Sequence, residues 1–454
     1  MAKVQARGTY ESKQVLKFVE PGYYVFKVLA LDSHGSTDAC EIQSYLSWTP
    51  SGNVTKDSPA HFFGLMASFD RFMNRLNDDL DLAQMAGVRT VRFPFRWPTI
   101  EPEKGKYSWS TYDKIFAAVG AHNMTPQPMV FQTPAWARRI SLAMVPGRYR
   151  PEFNLPRNPG DLAKTLGVAA QRYSRYKPYW EIWNEPHAPQ YWIGGTAEDY
   201  VKLLRATYPA IKAADPTAQV LNGGLGVLIG ATSQFASTLF ERGGNYFDIF
   251  AIHSHGGVEN LETTLDSVRD KKQTYLTNKP IWVNESGISV DPNDAEAELT
   301  RAAEITKKLV VARHYGVENF ALFILRNGPE SYSSAADNFA VVDSNGEPRP
   351  VLLAYNNAVK LLIDSNPFNI ELQKNSDHAY AFKSGNRVVI AAWGDESGES
   401  ASIRIPLSGF RGNAQIYDMF GAMRNIEVGK ELSIRVSKYP VYVVTELQST
   451  QPGR

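Results

Sequence analysis

The nine residues YWEIWNEPH (179–187) run from aromatic and aliphatic side chains into Asn184, Glu185, Pro186 and His187. A short run of large apolar residues is the pattern of a strand buried on both faces. The run ends by delivering an amide and a carboxylate. Pro186 then interrupts strand pairing, because proline has no N–H to donate. One hundred positions after Glu185, the run PIWVNESG (280–287) ends in the same way, at Asn284 and Glu285. The fold has to explain why two buried strands finish on Asn-Glu.

Six further runs of similar texture surround these two: FFGLMASF, TVRFPFRW, PQPMVFQTP, AQVLNGGLG, FDIFAIHSHG and NFALFILRNG. Between them lie segments of helical periodicity, among them NRLNDDLDLAQMAG, TYDKIFAAVGAHN, AEDYVKLLRATYPAIKAADP and AELTRAAEITKKLVVARHYG. The first and last of these stop at glycine, a helix terminator. Eight β-then-α units over roughly 300 residues predict a (β/α)8 barrel spanning 58–365. An open doubly wound sheet is the alternative. Its first strand normally leads into a Gly-rich phosphate turn, and GLMASFDRF is not one.

The flanks differ in texture. Residues 1–57 alternate with period two (QVLKFVE, then YYVFKVLALD after Pro21-Gly22), which predicts antiparallel strands, either a separate module or an addition to the C-terminal sheet. TPSGNVTKDSP (49–59) reads as a linker. From 366 to 454 the short strands HAYAFK, RVVIAAWG, SIRIPL, AQIYDMFG, ELSIRV and VYVVTEL predict an accessory all-β sandwich.

Composition narrows the function. The chain has 454 residues, is 43% hydrophobic and carries a formal net charge of +1. Nothing in that balance points to nucleic acid or to an anionic membrane. No apolar run approaches the roughly 20 residues of a membrane-spanning helix. The start, MAKVQARGTYESK, holds no apolar signal-peptide core. The expectation is therefore a cytoplasmic protein, or a secreted or periplasmic one if a signal has been removed. The single cysteine, Cys40, excludes an internal disulfide and zinc-finger spacing and reads as a buried, inert thiol. Nine Trp and 22 Tyr suit large cores and also a site that stacks on sugar faces.

Active sites of such barrels lie at the C-terminal ends of the strands. The second run ends near Arg92, Arg96 and Trp97, and the third leads to Gln132 and Trp136. The fourth carries Asn184, Glu185 and His187. The sixth ends in His253-Ser254-His255, the seventh in Asn284-Glu285 and the eighth in Arg326-Asn327. Two carboxylates converging in one cleft are the machinery of glycoside hydrolysis: one is the acid, the other the nucleophile or base. Strand ends across the barrel mouth would set them about 5 Å apart. The acid has to hold a proton at rest, its pKa raised by aromatic walls and by its partner's charge. An arginine would hold the other ionised.

A lone Glu after a strand is more often a helix-terminal or surface charge. Two Asn-Glu pairs at strand ends of one barrel are harder to read that way. Arg92 alone would also suit a structural ion pair, and Trp136, Trp192 and Trp282 divide between core and substrate platform. His253 and His255 lie on one face of a strand and open a metal reading, but no third ligand recurs nearby, so neither metal nor cofactor is expected. The loops after the third and fourth runs are long. The first holds arginines at 138, 139, 148, 150 and 157 against Glu152, which fits an acidic polysaccharide or a solvated loop.

Together these residues resemble the clan of retaining (β/α)8 glycoside hydrolases whose catalytic glutamates follow strands four and seven. WEIWNEP is similar to the clan's strand-four motif, in which Asn precedes the acid/base Glu. WVNESG is similar to its strand-seven motif, which ends in the nucleophile. RWPTIEPEKGKYSW (96–109) and FAVVDSNGEPRPVLLAYN (339–356) resemble the segments after strands two and eight, and VRFPFRW carries the arginine that in the clan supports the nucleophile. TPAWA and the β-sandwich tail favour glycoside hydrolase family 39, a family that includes β-xylosidases, α-L-iduronidases and bacterial exopolysaccharide hydrolases.

The resemblance implies a retaining enzyme cleaving β-glycosidic bonds in an oligo- or polysaccharide, with Glu185 as acid/base, Glu285 as nucleophile and Asn184 on the sugar 2-hydroxyl. Arg92, Trp136, His253, His255, Trp282 and Arg326 complete the candidate substrate site. Two departures stand out. His255 occupies the place where the family often has a tyrosine touching the nucleophile, and FILRNG lacks the clan's Trp after strand eight. Two other readings fit the same chain: an inactive glycan-binding barrel, and a metal-dependent barrel hydrolase.

Overall fold

The computed structural model describes residues 22–31, 37–47, 61–139, 150–275, 278–327, 338–370, 378–394, 401–406, 410, 412–427, 429 and 431–448. Strands β1 (Gly22–Leu31) and β2 (Thr37–Ser47) form an antiparallel pair. Among the described residues they join neither sheet of the C-terminal region. QVLKFVE, the 49–59 linker and the Cys40 side chain lie outside the described residues.

The eight apolar runs are eight parallel strands: β3 (Phe63–Met66), β4 (Thr90–Arg96), β5 (Thr125–Phe131), β6 (Tyr179–Ile182), β7 (Gln219–Asn222), β8 (Phe250–His253), β9 (Ile281–Ser286) and β10 (Asn319–Leu322). Their order is β7-β6-β5-β4-β3-β10-β9-β8. Bridges from Leu221 to Ile249 and from Leu225 to Ile252 bring β7 to β8 and close the ring. A helix follows each strand: Leu76–Ala86, Ser110–Ala121, Pro159–Tyr173, Ala197–Ala214, Gly230–Gly243, Val258–Tyr275, Ala295–His314 and Pro350–Leu362. This is the expected (β/α)8 barrel.

Local chemistry sets several helix ends. Thr196 and Asp199 form a capping box, and Asp294 accepts from the backbone N–H groups of Glu296 and Ala297. Gly87 ends the helix Leu76–Ala86 in the left-handed conformation, at φ 88°.

The C-terminal region holds β11 (Asn366–Pro367), β12 (His378–Ser384), β13 (Arg387–Trp393), β14 (Ala401–Pro406), β15 (Asn413–Asp418), β16 (Met423–Glu427), β17 (Glu431–Val436) and β18 (Val441–Glu446). Six of them form the sheet β11-β12-β13-β18-β15-β16, while β14 pairs with β17. The alternation along β13 explains the layering. Val388, Ile390 and Ala392 pack with Ile403, Ile405 and Ile434 of the two-stranded sheet. Val389, Ala391 and Trp393 point the other way and join the barrel's apolar core. The six-stranded sheet is therefore the middle layer, between barrel and outer sheet.

Candidate active site

The turn after β6 aims the first glutamate. Trp183 and Glu185 both adopt positive φ, 74° and 45°, a conformation that costs a non-glycine residue about 1–2 kcal/mol. Packing holds it. Trp183 is fully buried, its backbone N–H donates to Val130 O at 2.6 Å and its Nε1 donates to Tyr191 O at 2.7 Å. The next strand yields room: a Cβ on Gly223 would sit 2.8 Å from the Trp183 backbone, and one on Gly224 would sit 2.1 Å from His253 Nε2. The glycine pair of AQVLNGGLG is thus a packing requirement of the site.

Arg92 lies inside the barrel, fully buried. Its Nε and Nη2 donate to the two oxygens of Glu181 at 2.7 and 3.0 Å. Nη2 also donates to Asn184 Oδ1 at 2.7 Å, and Nη1 donates to Glu285 Oε2. Met66 and Met129 place their sulfurs 2.9 and 2.8 Å from the same guanidinium. Burial opposes the arginine's charge, but Glu181 and Glu285 outweigh it and hold the guanidinium protonated. Glu181 went unread as a site residue. The available signal was an acid in the middle of an otherwise apolar strand, a position a charge occupies only with a buried partner.

The two histidines meet one oxygen of each candidate catalytic glutamate. His253 Nδ1 is 2.8 Å from Glu185 Oε1, and its Nε2 is 3.9 Å from Glu285 Oε2. His255 Nε2 is 3.1 Å from Glu285 Oε1. A carboxylate oxygen of Glu185, a ring nitrogen of His253 and a carboxylate oxygen of Glu285 all lie within 4.8 Å of one another. These three donors are the group able to hold a cation among the described residues, rather than the His253–His255 pair. Two of them already bond each other, and Arg92 brings a positive charge onto the third.

Burial would raise the Glu285 pKa, but His253, Arg92 and His255 override it and hold the carboxyl well below the ordinary range. Burial likewise pushes Glu185 up, and the Glu285 charge adds to that push. The hydrogen bond and charge of His253 win, leaving Glu185 lowered. This corrects the expectation that the Glu185 pKa would be raised. The proton's other station is His253, whose pKa is raised because Glu285 and Glu185 outweigh its burial. His187, by contrast, is pushed down to about 4 by burial, against the pull of Glu185.

Other candidates fall elsewhere. Trp282 is 1% exposed and packs on Tyr179, at the starts of the strands rather than their ends. Its place in the core follows from position: it lies three positions before Glu285 along an extended strand. Arg326 is buried in an ion pair with Asp79 at 2.7 Å, and so it anchors the first barrel helix. Trp192 is buried in the core against Trp183. Trp136 is partly exposed near the mouth, edge-on to Trp97, with its Nε1 on Glu101 O at 3.0 Å. Asn284 is fully buried, and its amide has no partner among the described residues.

Aromatic rings other than Trp stand after the eighth strand. Phe323 and Phe339 enclose His255, with ring centroids 5.4 Å from it and 5.3 Å from each other. In the arginine-rich loop, Arg138, Arg139 and Arg157 donate to the carbonyls of Thr133, Gly194 and Arg138, so these three bind the loop to itself and its neighbour. Residues 140–149 lie outside the described residues.

Comparison with known proteins adds to this geometry. A family model described as beta-galactosidase matches residues 69–137. A second, described as glycosyl hydrolase catalytic core, matches residues 196–355, the half of the barrel that carries Glu285. The enzyme is a glycosidase. No curated protein matches this glycosidase in sequence.

Solved structures match it in fold. A family 39 glycoside hydrolase from the gut symbiont Bacteroides cellulosilyticus has 20% identity and a TM-score of 0.74, over 94% of this chain and 88% of that one. A family 39 β-xylosidase from Caulobacter crescentus has 16% identity and a TM-score of 0.63, over 87% and 98%. A family 30 endoxylanase from Clostridium papyrosolvens has 13% identity and a TM-score of 0.64, over 88% and 99%. At these identities the likeness is one of fold. Among the described residues, no helix of the glycosidase is long and apolar enough to cross a membrane.

Proposed function

We propose that the protein is a retaining glycosidase that cleaves β-glycosidic bonds in an oligo- or polysaccharide by double displacement, with Glu285 as nucleophile and Glu185 as acid/base. The observation that carries this reading is the approach of the Glu185 and Glu285 oxygens to within 4.8 Å. Retaining enzymes set their carboxyl groups about 5–5.5 Å apart, and inverting enzymes open about 6.5–9.5 Å to seat a water between them.

The hydrogen bonds support this division of roles. Glu285 has a donor on each oxygen and a depressed pKa, so it stays ionised and aimed. Its attack on the anomeric carbon forms a glycosyl ester as the bond to the leaving oxygen breaks. Glu185 is the more exposed of the two, 20% against 10%, and has one oxygen free of His253. It gives its proton to the leaving oxygen. Glu185 and His253 share that proton across a 2.8 Å hydrogen bond and titrate as a pair. In the second half, Glu185 takes a proton from water, which attacks the ester and frees Glu285. Asn184 has its Oδ1 on Arg92 and keeps its Nδ2 as a donor for a sugar hydroxyl.

Two similar structures are a β-xylosidase and an endoxylanase, so β-xylosides are the first substrates to try, beside neutral and uronic-acid glycans. Glu285→Gln removes turnover and leaves the fold intact, since the amide cannot form the ester. Azide partly restores turnover in Glu285→Gly. A Glu285→Gln enzyme that keeps more than about a tenth of the rate would overturn the assignment, because a covalent nucleophile is worth several orders of magnitude. A folded protein that binds glycans and cleaves none would be the non-catalytic barrel.

A further inference from the structure

Behind the strand ends, Lys308 lies on the helix Ala295–His314 and is fully buried. A buried ammonium is costly unless its protons are satisfied. Its Nζ donates to Ser254 O at 2.6 Å and to Gly256 O at 2.9 Å. These two carbonyls flank His255, the residue whose Nε2 meets Glu285 Oε1 at 3.1 Å.

The same loop is tied to the strand that carries Glu285. Ser254 N donates to Glu285 O at 3.0 Å, Ser286 Oγ to Ser254 O at 2.6 Å, and Gly256 N to Gly287 O at 3.0 Å. Asn260 Nδ2 caps His255 O at 3.2 Å. The loop thus hangs between β9 on one side and a single buried cation on the other.

Charged groups reach Lys308 from two helices. Glu304, on its own helix, is paired with Lys307 at 2.5 Å and accepts from Val258 N at 2.8 Å. Glu259 stands on the helix Val258–Tyr275. Both act on Lys308 through space, and among the described residues no carboxylate pairs with it directly.

We propose that Lys308 is a positioning residue for catalysis, holding the 254–256 loop so that His255 stays against the carboxylate of Glu285. This rests on the reading of Glu285 as nucleophile. Burial brings the Lys308 pKa down to about 7, against the pull of Glu304 and Glu259. Above that pH the amine still has two N–H donors for the two carbonyls. It loses the charge that makes such bonds about twice as strong as neutral ones. The hold therefore loosens as pH rises.

The test uses an aryl glycoside whose leaving group needs no proton, so that the Glu185–His253 pair drops out of the bond-breaking step. Lys308→Met is compared in the wild-type and His255→Phe backgrounds. In the first it lowers kcat by about tenfold to a hundredfold, the cost of a misplacement near 1 Å, and shifts KM less than about twofold. In the second it costs less than about threefold, because the contact it supports is already gone. Equal losses in both backgrounds, or an unchanged kcat, would overturn the proposal.

Should Lys308→Met not fold, Lys308→Arg carries the test, since arginine keeps its charge at every working pH. Its kcat/KM profile with this substrate stays level across pH 7, where wild-type kcat/KM declines to a lower plateau. The same decline in both overturns the proposal. An active wild type with an inert Glu285→Gln and an unaffected Lys308→Met sinks only the role of Lys308. A Glu285→Gln that keeps its rate sinks the nucleophile and this inference together.

Discussion

Arg92 faces Glu181 and Glu285 at once and also fixes the Asn184 amide, so the proposed nucleophile, its neighbour and the amide proposed to bind the sugar share one buried cation. On the proposed mechanism the catalytic proton belongs to Glu185 and His253 jointly, across their 2.8 Å hydrogen bond. Its loss sets the alkaline limb for natural glycosides. The His253 pKa is raised above 6.5, so the proton is present below that value and lost as pH rises through the raised one. The limb therefore falls above pH 6.5 rather than at a carboxyl value. Glu185→Ala removes this limb, leaving only the shallower step of Lys308, and cripples natural glycosides, but largely spares substrates with good leaving groups. His253→Gln moves the limb down. Rate–pH profiles of the three enzymes check this; an identical limb in all three would take the proton away from the pair. The sequence alone named Glu185, Glu285, Arg92 and His253, because each ends or lines an apolar run. It could not assign the proton, because the Glu185–His253 contact spans 68 residues and depends on barrel register.

Strands were the legible elements. Buried on both faces, they appear as continuous apolar runs, and all eight were readable without contacts. Short or polar elements were not. β11 has two residues, and β16, MRNIE, is almost wholly exposed. The helix Ala295–His314 reads as amphipathic but is buried nearly all round. Its polar face persists through pairs such as Arg301–Glu298 at 2.6 Å and Lys307–Glu304 at 2.5 Å. Which end of a strand faces the mouth decided the fate of Trp282, and the ion pair with Asp79 decided that of Arg326. Loops bear the tightest constraint. Gly224 abuts both His253 and Asn284, so Gly224→Ala puts a methyl 2.1 Å from one and 2.9 Å from the other. Overpacking of that kind costs about 1–3 kcal/mol. Displacing His253 lowers kcat by at least about tenfold while the protein stays folded. A fully active Gly224→Ala would show that His253 is free to move without consequence.

At the scale of the whole molecule, barrel and sandwich are one packed body. Phe382, Trp393, Met419 and Tyr442 belong to the barrel's apolar cluster. Asn357 Nδ2 donates to Asp418 O at 3.1 Å, and Lys438 pairs with Glu296 at 2.5 Å. Calorimetry should therefore show one cooperative unfolding transition; two resolved transitions would mean the sheet is an independent appendage. The same closed architecture fixes the ends of β6 and β9 across the mouth, and with them the separation of the two glutamates. The stereochemistry of the reaction reads that separation out most directly. Proton NMR of the first minutes of hydrolysis of a cleaved β-glycoside should show the β-anomer appearing first, with the α-anomer growing in only by mutarotation. An α-anomer formed first would mean that water, not Glu285, attacks the sugar.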